Sequence, residues 1–203
     1  MPHPYADLMF TPSVRAVQQE NDSRRVYMRF DDDPTPINAA LTDEEKNFIA
    51  KRDSFYLATL TENDWPYVQH RGGKTGFLKV LDDVTLGFAD YPGNRQYITT
   101  GNLRVNDRVS LFLMDYPNKR RLKIAGHARI VLEQDDTELF ARLRDLYEGK
   151  PERAIVISMI GFDWNCNQYI TQRYPKEEVD ALKQEVKRLQ DENTKLRAQL
   201  ERS

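Results

Sequence analysis

The chain has 203 residues, of which 39% are hydrophobic and 31% are charged. This balance is typical of a soluble globular protein, and the length suits one domain with an appendage. The 30 lysines and arginines against 32 aspartates and glutamates leave a net charge of −2, which argues against a generally basic nucleic-acid-binding protein.

The cysteine content and the hydropathy predict the cellular setting. Cys166 is the single cysteine, so an intrachain disulfide is excluded and a reducing cytosol is favoured. No apolar run approaches the roughly 18 residues of a membrane span. The first residues lack the charged and apolar regions of a signal peptide. We therefore expect a cytoplasmic protein without a membrane partner.

Residues 1–39 are predicted to form an irregular arm that wraps the body of the protein. The segment contains five prolines and the acidic run 31–33. Proline has no backbone N–H to donate and interrupts regular elements. No helix or strand is therefore expected in this segment.

Residues 40–175 are predicted to form a mainly β body with added helices. Thr42 and Glu45 have the spacing of a capping box that opens a helix ending near Arg52. Seven runs of strand composition follow, at 54–61, 66–71, 77–81, 84–89, 108–116, 119–132 and 154–164. Helical stretches lie between them at 95–103 and 135–147. Many short strands with few helices favour a β-barrel with α additions.

Residues 176–203 contain a heptad repeat and no glycine, proline or aromatic residue. The a positions are Val179, Val186, Asn193 and Leu200, and the d positions are Leu182, Leu189 and Leu196. Valine at a and leucine at d favour two strands, and a single buried asparagine fixes the register. The flanking e and g residues attract each other in a parallel pair and set acid against acid in an antiparallel one. The pattern therefore predicts a parallel coiled coil between two copies of the chain.

The heptad pattern has two other interpretations. A single amphipathic helix lying on the body would show a similar period. A DNA-binding zipper needs a basic helix that leads without a break into the heptads, and Pro175 would interrupt such a helix. A nucleic-acid partner is therefore not expected.

The sequence lacks the common signatures of hydrolases and nucleotide-binding enzymes. The histidines His3, His70 and His127 have no metal-ligand spacing to one another or to Cys166. There is no nucleophile elbow, Walker loop or Rossmann glycine fingerprint. We expect neither a metal site nor hydrolysis by a catalytic triad.

The segment 69–76 has the composition of an anion-binding nest. It places Arg71 and Lys74 among three glycines, at the end of one predicted strand. Open backbone amides beside two cations suit a phosphate group. The alternative interpretation is a tight turn with solvated charges.

The segment 90–96 is a second candidate for anion binding. Asn94 is predicted to cap the following helix, while Arg95 and the first helical amides hold an anion. A tight turn with a solvated arginine is again the alternative.

Residues 54–132 resemble the pyridoxamine 5'-phosphate oxidase-like, FMN-binding split-barrel proteins. The likeness includes Gln-His-Arg-Gly-Gly at 69–73, Gly-Asn-Arg-Gln at 93–96 and Arg-Leu-Lys-Ile-Ala-Gly-His-Ala at 121–128. The first of these motifs marks a subgroup of the family. The resemblance implies a six-stranded split barrel, followed here by the coiled-coil helix. It also implies a homodimer that holds FMN at two sites across the interface.

The resemblance implies which residues hold the phosphate of FMN. The arginine that ends the second strand and the Asn-Arg pair before the helix correspond to Arg71, Asn94 and Arg95. Family members often have a lysine after this pair, where this chain has Gln96, an uncharged donor. Lys74 is expected to supply the missing charge.

The resemblance also implies contacts to the rest of the cofactor. Thr100 and Asn102 are placed to approach the ribityl chain or the ring. Trp164 and Arg173 resemble the aromatic and basic residues that family members offer from the partner subunit. For Trp164 the alternative is a core or interface aromatic.

We therefore expect an FMN-dependent oxidoreductase that acts on a small organic molecule. Authentic pyridoxamine-phosphate oxidases carry Arg-x-His near the C-terminus, and the corresponding region 163–173 lacks it, so vitamin B6 oxidation is not expected. The alternatives are a flavin-binding sensor or storage protein whose zipper recruits a partner, and a chain that binds a deazaflavin. No proton donor is predicted, because strand alternation turns His70 away from Arg71.

Overall fold

The structure is a computed structural model that describes residues 3–28, 37–144 and 149–201. The chain divides into two compact units. The first takes in the described residues of Met1–Asp115 and Arg120–Asn167, and the second those of Tyr116–Lys119 and Gln168–Ser203.

The N-terminal segment is helical where it is described, so the prediction of an irregular arm is wrong there. It forms α1 (Pro4–Met9), α2 (Pro12–Glu20) and α3 (Arg24–Tyr27). Pro4 and Pro12 occupy the first helical positions. A backbone N–H at this position makes no hydrogen bond within the helix, so proline costs none, and its fixed φ angle suits a helix. The acidic run 31–33 and the last two prolines lie outside the described residues.

The predicted capping box is confirmed at the start of α4 (Asp43–Ala50). The amide of Glu44 donates to the Thr42 hydroxyl at 3.3 Å, and the Thr42 amide donates to Glu45 Oε2 at 3.0 Å. These bonds satisfy N–H groups that a helix leaves unpaired at its first turn.

The seven predicted strands are confirmed, with ends within two residues of the predicted ones. They are β1 (Ser54–Leu60), β2 (Pro66–Gly72), β3 (Lys79–Asp82), β4 (Thr85–Asp90), β5 (Arg108–Asp115), β6 (Arg120–Val131) and β7 (Arg153–Trp164). All neighbours pair antiparallel in one sheet of order β2-β1-β5-β6-β7-β4-β3. The mainly β class is therefore confirmed, with seven strands where the resemblance implied six.

Strand β7 is buried on both faces because successive side chains enter two different apolar clusters. Ile155 and Ile157 belong to the main core between the strands. Ala154 and Val156 point the opposite way and pack with α6 (Thr137–Leu143). The alternation of a β-strand explains this division.

The two predicted internal helices are shorter than expected. Helix α5 (Ile98–Val105) begins three residues later than the stretch 95–103 predicts. Helix α6 ends at Leu143, and the last three residues of the predicted stretch 135–147 lie outside the described residues.

The second unit contains one long helix, α7 (Lys176–Leu200), with Pro175 at its N-cap. None of its residues is buried, and the heptad side chains Leu182 and Leu200 are 71% and 77% exposed. Ion pairs such as Arg188 with Glu185 and Glu192 lie along its surface. The helix is confirmed, and its pairing with a second copy stays a prediction. Among the described residues, no helix has the length and apolar character to cross a membrane.

Candidate anion-binding site

A cleft of about 180 Å³ lies where β2 and β4 end and the loop 91–97 leads into α5. Five of the predicted cofactor residues line it, namely Arg71, Asn94, Arg95, Gln96 and Thr100. Each offers a side-chain N–H or O–H donor. The end of β2 and the segment 90–96, which the sequence singled out separately, thus meet in one site. The predicted nest of open amides is wrong, because the amides of Gly73 and Gly76 donate to the carbonyls of Asp53 and Arg52 at 2.8 and 2.9 Å.

The loop before α5 has an unusual backbone. Arg95 and Tyr97 adopt positive φ angles of 59° and 53°, a region that side chains other than glycine seldom occupy. The Asn94 side chain accepts a hydrogen bond from the Gln96 amide at 3.1 Å, which closes a local turn. This tight turn holds two predicted phosphate ligands at the mouth of the cleft.

The predicted role of Asn94 as a helix cap is wrong. The N-cap residue of α5 is Tyr97, whose side chain makes no capping hydrogen bond. Asn94 lies three residues too early, because its side chain closes the preceding turn instead.

Arg71, which lines the cleft, has one side-chain donor that is buried and unsatisfied. Its Nη1 donates to Asp90 Oδ1 at 2.8 Å, and its side chain is only 20% exposed. Among the described residues, Nε of Arg71 is buried without a hydrogen-bond partner. A buried N–H without a partner is costly and rare, so an anion that accepts from it would remove a penalty.

The sequence did not reveal the contacts that Arg153 makes with Asp90 and Glu152, two acidic residues that line the cleft. Arg153, at the start of β7, donates to Thr100 Oγ1 at 2.7 Å and pairs with Glu152. Its Nε lies 3.9 Å from Asp90 Oδ2. Asp90 and Arg153 are cross-strand partners on β4 and β7, a non-local pairing for which the sequence carried no motif.

A second set of contacts continues this network to Arg95. The Tyr97 hydroxyl donates to Glu152 Oε1 at 2.9 Å, and Arg95 Nε donates to the Tyr97 oxygen at 3.3 Å. The Arg153 guanidinium lies 5.0 Å from the centroid of the Tyr97 ring. Contacts between side chains therefore connect Arg71 to Arg95.

The ionic side chains that line the cleft balance, with Arg71 and Arg95 against Asp90 and Glu152, and Arg153 outside the lining makes the whole network positive. Arg71, Arg95 and Arg153 contribute three positive charges against two negative charges from Asp90 and Glu152, a sum of +1 at neutral pH. Burial, the largest effect, raises the pKa of Asp90, while Arg71 and Arg153 oppose the rise. The two guanidinium groups and the neutral N–H and O–H donors of the lining suit a phosphate group.

Comparison with known families adds the context for this cleft. The family model described as pyridoxamine 5'-phosphate oxidase matches residues 41–160, which include every strand but the end of β7. The chain belongs to the pyridoxamine 5'-phosphate oxidase family. No curated protein matches the chain significantly.

Solved structures also resemble this member of the pyridoxamine 5'-phosphate oxidase family. HupZ of Group A Streptococcus is 18% identical over 66% of this chain and 99% of its own, with a TM-score of 0.48. General stress protein 26 of Bacillus anthracis is 17% identical over 60% and 91%, with a TM-score of 0.46. An FMN-binding protein of Syntrophomonas wolfei is 13% identical over 73% and 97%, with a TM-score of 0.44. Family membership rests on the family model, because these TM-scores lie below 0.5.

Two other residues predicted from the family resemblance do not line the cleft. Lys74 is exposed in the segment before β3. Asn102 is 7% exposed on α5 and donates to the Thr59 hydroxyl at 2.8 Å. Asn102 therefore joins α5 to β1.

Trp164 and Arg173, the residues expected from a partner subunit, also lie outside the cleft. The Trp164 indole donates to Glu45 Oε1 at 2.7 Å and packs edge to face on Phe48 at 4.8 Å. Arg173, in the second unit, lies 5.0 Å from the Tyr116 ring. Their reach toward a second copy stays a prediction.

His70 does not line the cleft. Its ring packs edge to face against Tyr56 at 5.6 Å, as expected for a strand position adjacent to Arg71. Within the described residues, no group of three or more histidine, cysteine or acidic side chains could hold a metal ion.

Proposed function

We propose that the chain binds FMN and acts as a flavin-dependent oxidoreductase on a small organic molecule. The observation that carries the proposal is the cleft that gathers Arg71, with its buried and unpaired Nε, and the donors of the loop before α5. A phosphate monoester has three acceptor oxygens that match such a set. Membership of the pyridoxamine 5'-phosphate oxidase family supports a flavin as the molecule that bears the phosphate.

Each part of the cleft has its own role in this proposal. Arg71 and Arg95 neutralise the phosphate, and Asn94, Gln96 and Thr100 donate neutral hydrogen bonds. Gln96 cannot supply the charge that a lysine gives other members. When bound, the flavin supplies the redox chemistry, and the chain binds and orients the reactants.

We also propose that the active form is a homodimer that pairs through the first unit and through α7. The a and d side chains of α7 leave an apolar seam exposed in the single chain, with Val186 and Leu189 each 49% exposed. Pairing two copies of this seam removes it from water, and Asn193 pairs with its own copy.

The identity of the cofactor is tested by purifying the full chain, extracting the bound small molecule and measuring its mass. We expect FMN. A deazaflavin contradicts the cofactor, and a chain that neither carries nor takes up a flavin contradicts the proposal as a whole.

Turnover separates the enzyme from a flavin-binding sensor or storage protein. Reduction of bound FMN by NADH or NADPH, followed by repeated reoxidation with an added acceptor, is the expected result. Bound FMN that no reductant and acceptor can cycle contradicts the oxidoreductase and supports the sensor or storage function.

A further inference from the structure

The two proposed phosphate-binding arginines are connected by a chain of alternating charges. From Arg71 it passes to Asp90 at 2.8 Å, and from Asp90 to Arg153 at 3.9 Å. Arg153 pairs with Glu152, which accepts from the Tyr97 hydroxyl at 2.9 Å. Arg95 donates to the same hydroxyl at 3.3 Å.

Arg153 is the central member of this chain. Its side chain is 12% exposed and contacts three groups at once, namely Asp90, Glu152 and Thr100. A guanidinium can do this because its donors are spread over a rigid plane. Lysine, with one nitrogen, cannot reproduce the three contacts.

The sheet alone does not set the distance across the cleft. Strand β2 lies at one edge of the sheet, and β4 lies next to the other edge. No backbone ladder therefore joins Arg71 to Asp90, and their ion pair spans strands that are not neighbours. Arg153, the cross-strand partner of Asp90, fixes the β4 side of this contact.

We propose that Arg153 is a positioning residue for phosphate binding, acting on Arg71 through Asp90 and on Arg95 through Glu152 and Tyr97. The inference rests on the proposed function, because it concerns the site for the FMN phosphate. Arg153 does not line the cleft itself, so it acts through the residues that do.

A purely electrostatic role for these residues predicts different results. If only charge mattered, Arg153→Lys would bind the phosphate as well as the parent, and Asp90→Asn would bind it more tightly. If the network positions the arginines, both substitutions weaken phosphate binding. The two roles can be separated because they predict opposite changes in phosphate binding for Asp90→Asn.

The experiment compares FMN with riboflavin, which lacks the phosphate. Full-length protein freed of bound cofactor is titrated with each flavin, and quenching of flavin fluorescence gives the two Kd values. The Kd of riboflavin divided by the Kd of FMN, called the Kd ratio below, isolates the contribution of the phosphate. Glu62→Gln, in the exposed turn after β1, removes one negative charge outside the network and serves as the matched control.

The proposal predicts that Arg153→Lys and Asp90→Asn each lower the Kd ratio by about tenfold, as expected for loss of an oriented charge-assisted contact. Glu62→Gln should leave the ratio unchanged. If Arg153→Lys fails to fold, Glu152→Gln tests the link to Tyr97 in the same way, and its ratio should also fall.

Two results overturn the inference. In the first, the parent has a large Kd ratio and the network variants have an unchanged or larger one. This result contradicts the positioning role of Arg153 and leaves the proposed FMN site intact. A parent that binds riboflavin as tightly as FMN, or binds neither, contradicts both the phosphate site and the inference that rests on it.

Discussion

Glu45 shows how a single acidic residue of α4 is stabilised inside the core. Its carboxylate accepts from the Thr42 amide at 3.0 Å, the Thr42 hydroxyl at 2.6 Å and the Trp164 indole at 2.7 Å. Burial raises the pKa of Glu45, but these hydrogen bonds outweigh burial, and the pKa lies below its ordinary value of 4.5. The site therefore favours the charged form.

Glu45→Gln is expected to lower the free energy of unfolding at neutral pH by about 1–3 kcal/mol, because charge-assisted hydrogen bonds are lost. An acid with a lowered pKa stabilises the fold above its unfolded pKa and loses this effect as the pH falls through the folded pKa. The difference from the parent should therefore persist down to the ordinary value of 4.5 and shrink below it. Urea unfolding at a series of pH values measures it, with the exposed Asp43→Asn as control. A difference that does not depend on pH contradicts the account.

Asp90 is expected to show the opposite pH dependence. Its pKa is raised, chiefly by burial, so the folded state binds a proton more readily than the unfolded state does. Its contribution to stability is present below the unfolded pKa and is lost as the pH rises through the folded one. The parent should therefore gain stability relative to Asp90→Asn as the pH falls from neutral. Unfolding midpoints of both proteins test the sign, and a relative loss on acidification counts against it.

The pairing of β6 with β7 depends on a close contact between their backbones at Gly126. The register shifts between Ala125 and Gly126, as in a β-bulge. A Cβ atom on Gly126 would lie 2.4 Å from the carbonyl oxygen of Ser158. Only glycine fits this position without moving a strand.

Gly126→Ala is therefore expected to destabilise the protein by about 2 kcal/mol or more, because the added methyl group displaces backbone. Gly101→Ala is the matched control: it lies in α5, and its Cβ would meet no atom within 4 Å. In a helix this change stabilises by about 0.5–1 kcal/mol. Denaturant midpoints of the two variants should move in opposite directions, and equal shifts contradict the packing at Gly126.

The sequence predicted the strands well because alternation leaves a clear local signal. Strand β5 shows it plainly, with Val109, Leu111 and Leu113 buried and the residues between them more exposed. The sequence does not indicate the N-terminal helices, because proline more often interrupts a helix than begins one. At Pro4 and Pro12 the proline instead begins a helix.

Half of the site could be predicted from local motifs and half could not. Arg71, Asn94 and Arg95 stand in short segments whose glycines and charges indicate an anion. Arg153 and Glu152 lie more than fifty residues further along the chain and reach the cleft only because β7 pairs with β4. No pattern within either segment records that pairing, so the sequence could not link them.

The proposed dimer has two contacts between the copies, one through the first unit and a weaker one through α7. Helix α7 has 25 residues, none of them buried in the single chain, and helices gain most of their stability from packing an apolar face. The first unit is proposed to hold two copies close, which raises the effective concentration of the second contact.

Truncation before Lys176 is expected to leave a dimer that keeps its cofactor and loses some thermal stability. The coiled coil adds to the dimer but does not create it in this account. Light scattering gives the mass, and the flavin absorbance gives the cofactor content. A truncated chain that runs as a monomer without flavin would show that α7 makes the dimer.

Asn193→Leu tests the register of the coiled coil. A leucine removes the only polar a position and should strengthen association while relaxing register and oligomer state. Light scattering is expected to detect larger assemblies. Asn63→Leu, in the exposed turn after β1, is the control for added surface hydrophobicity. Equal masses for parent and Asn193→Leu, with no gain in stability, contradict pairing through this face.

We propose that Arg71 and Arg95 hold the phosphate of FMN in the cleft between β2, β4 and α5. The most direct measurement is the Kd of FMN for the parent, Arg71→Ala and Arg95→Ala, with Arg129→Ala, an exposed arginine of β6 outside the cleft, as control. We expect each cleft variant to bind FMN about tenfold to a hundredfold more weakly, while Arg129→Ala binds like the parent. Cleft variants that bind FMN as tightly as the parent would contradict the claim.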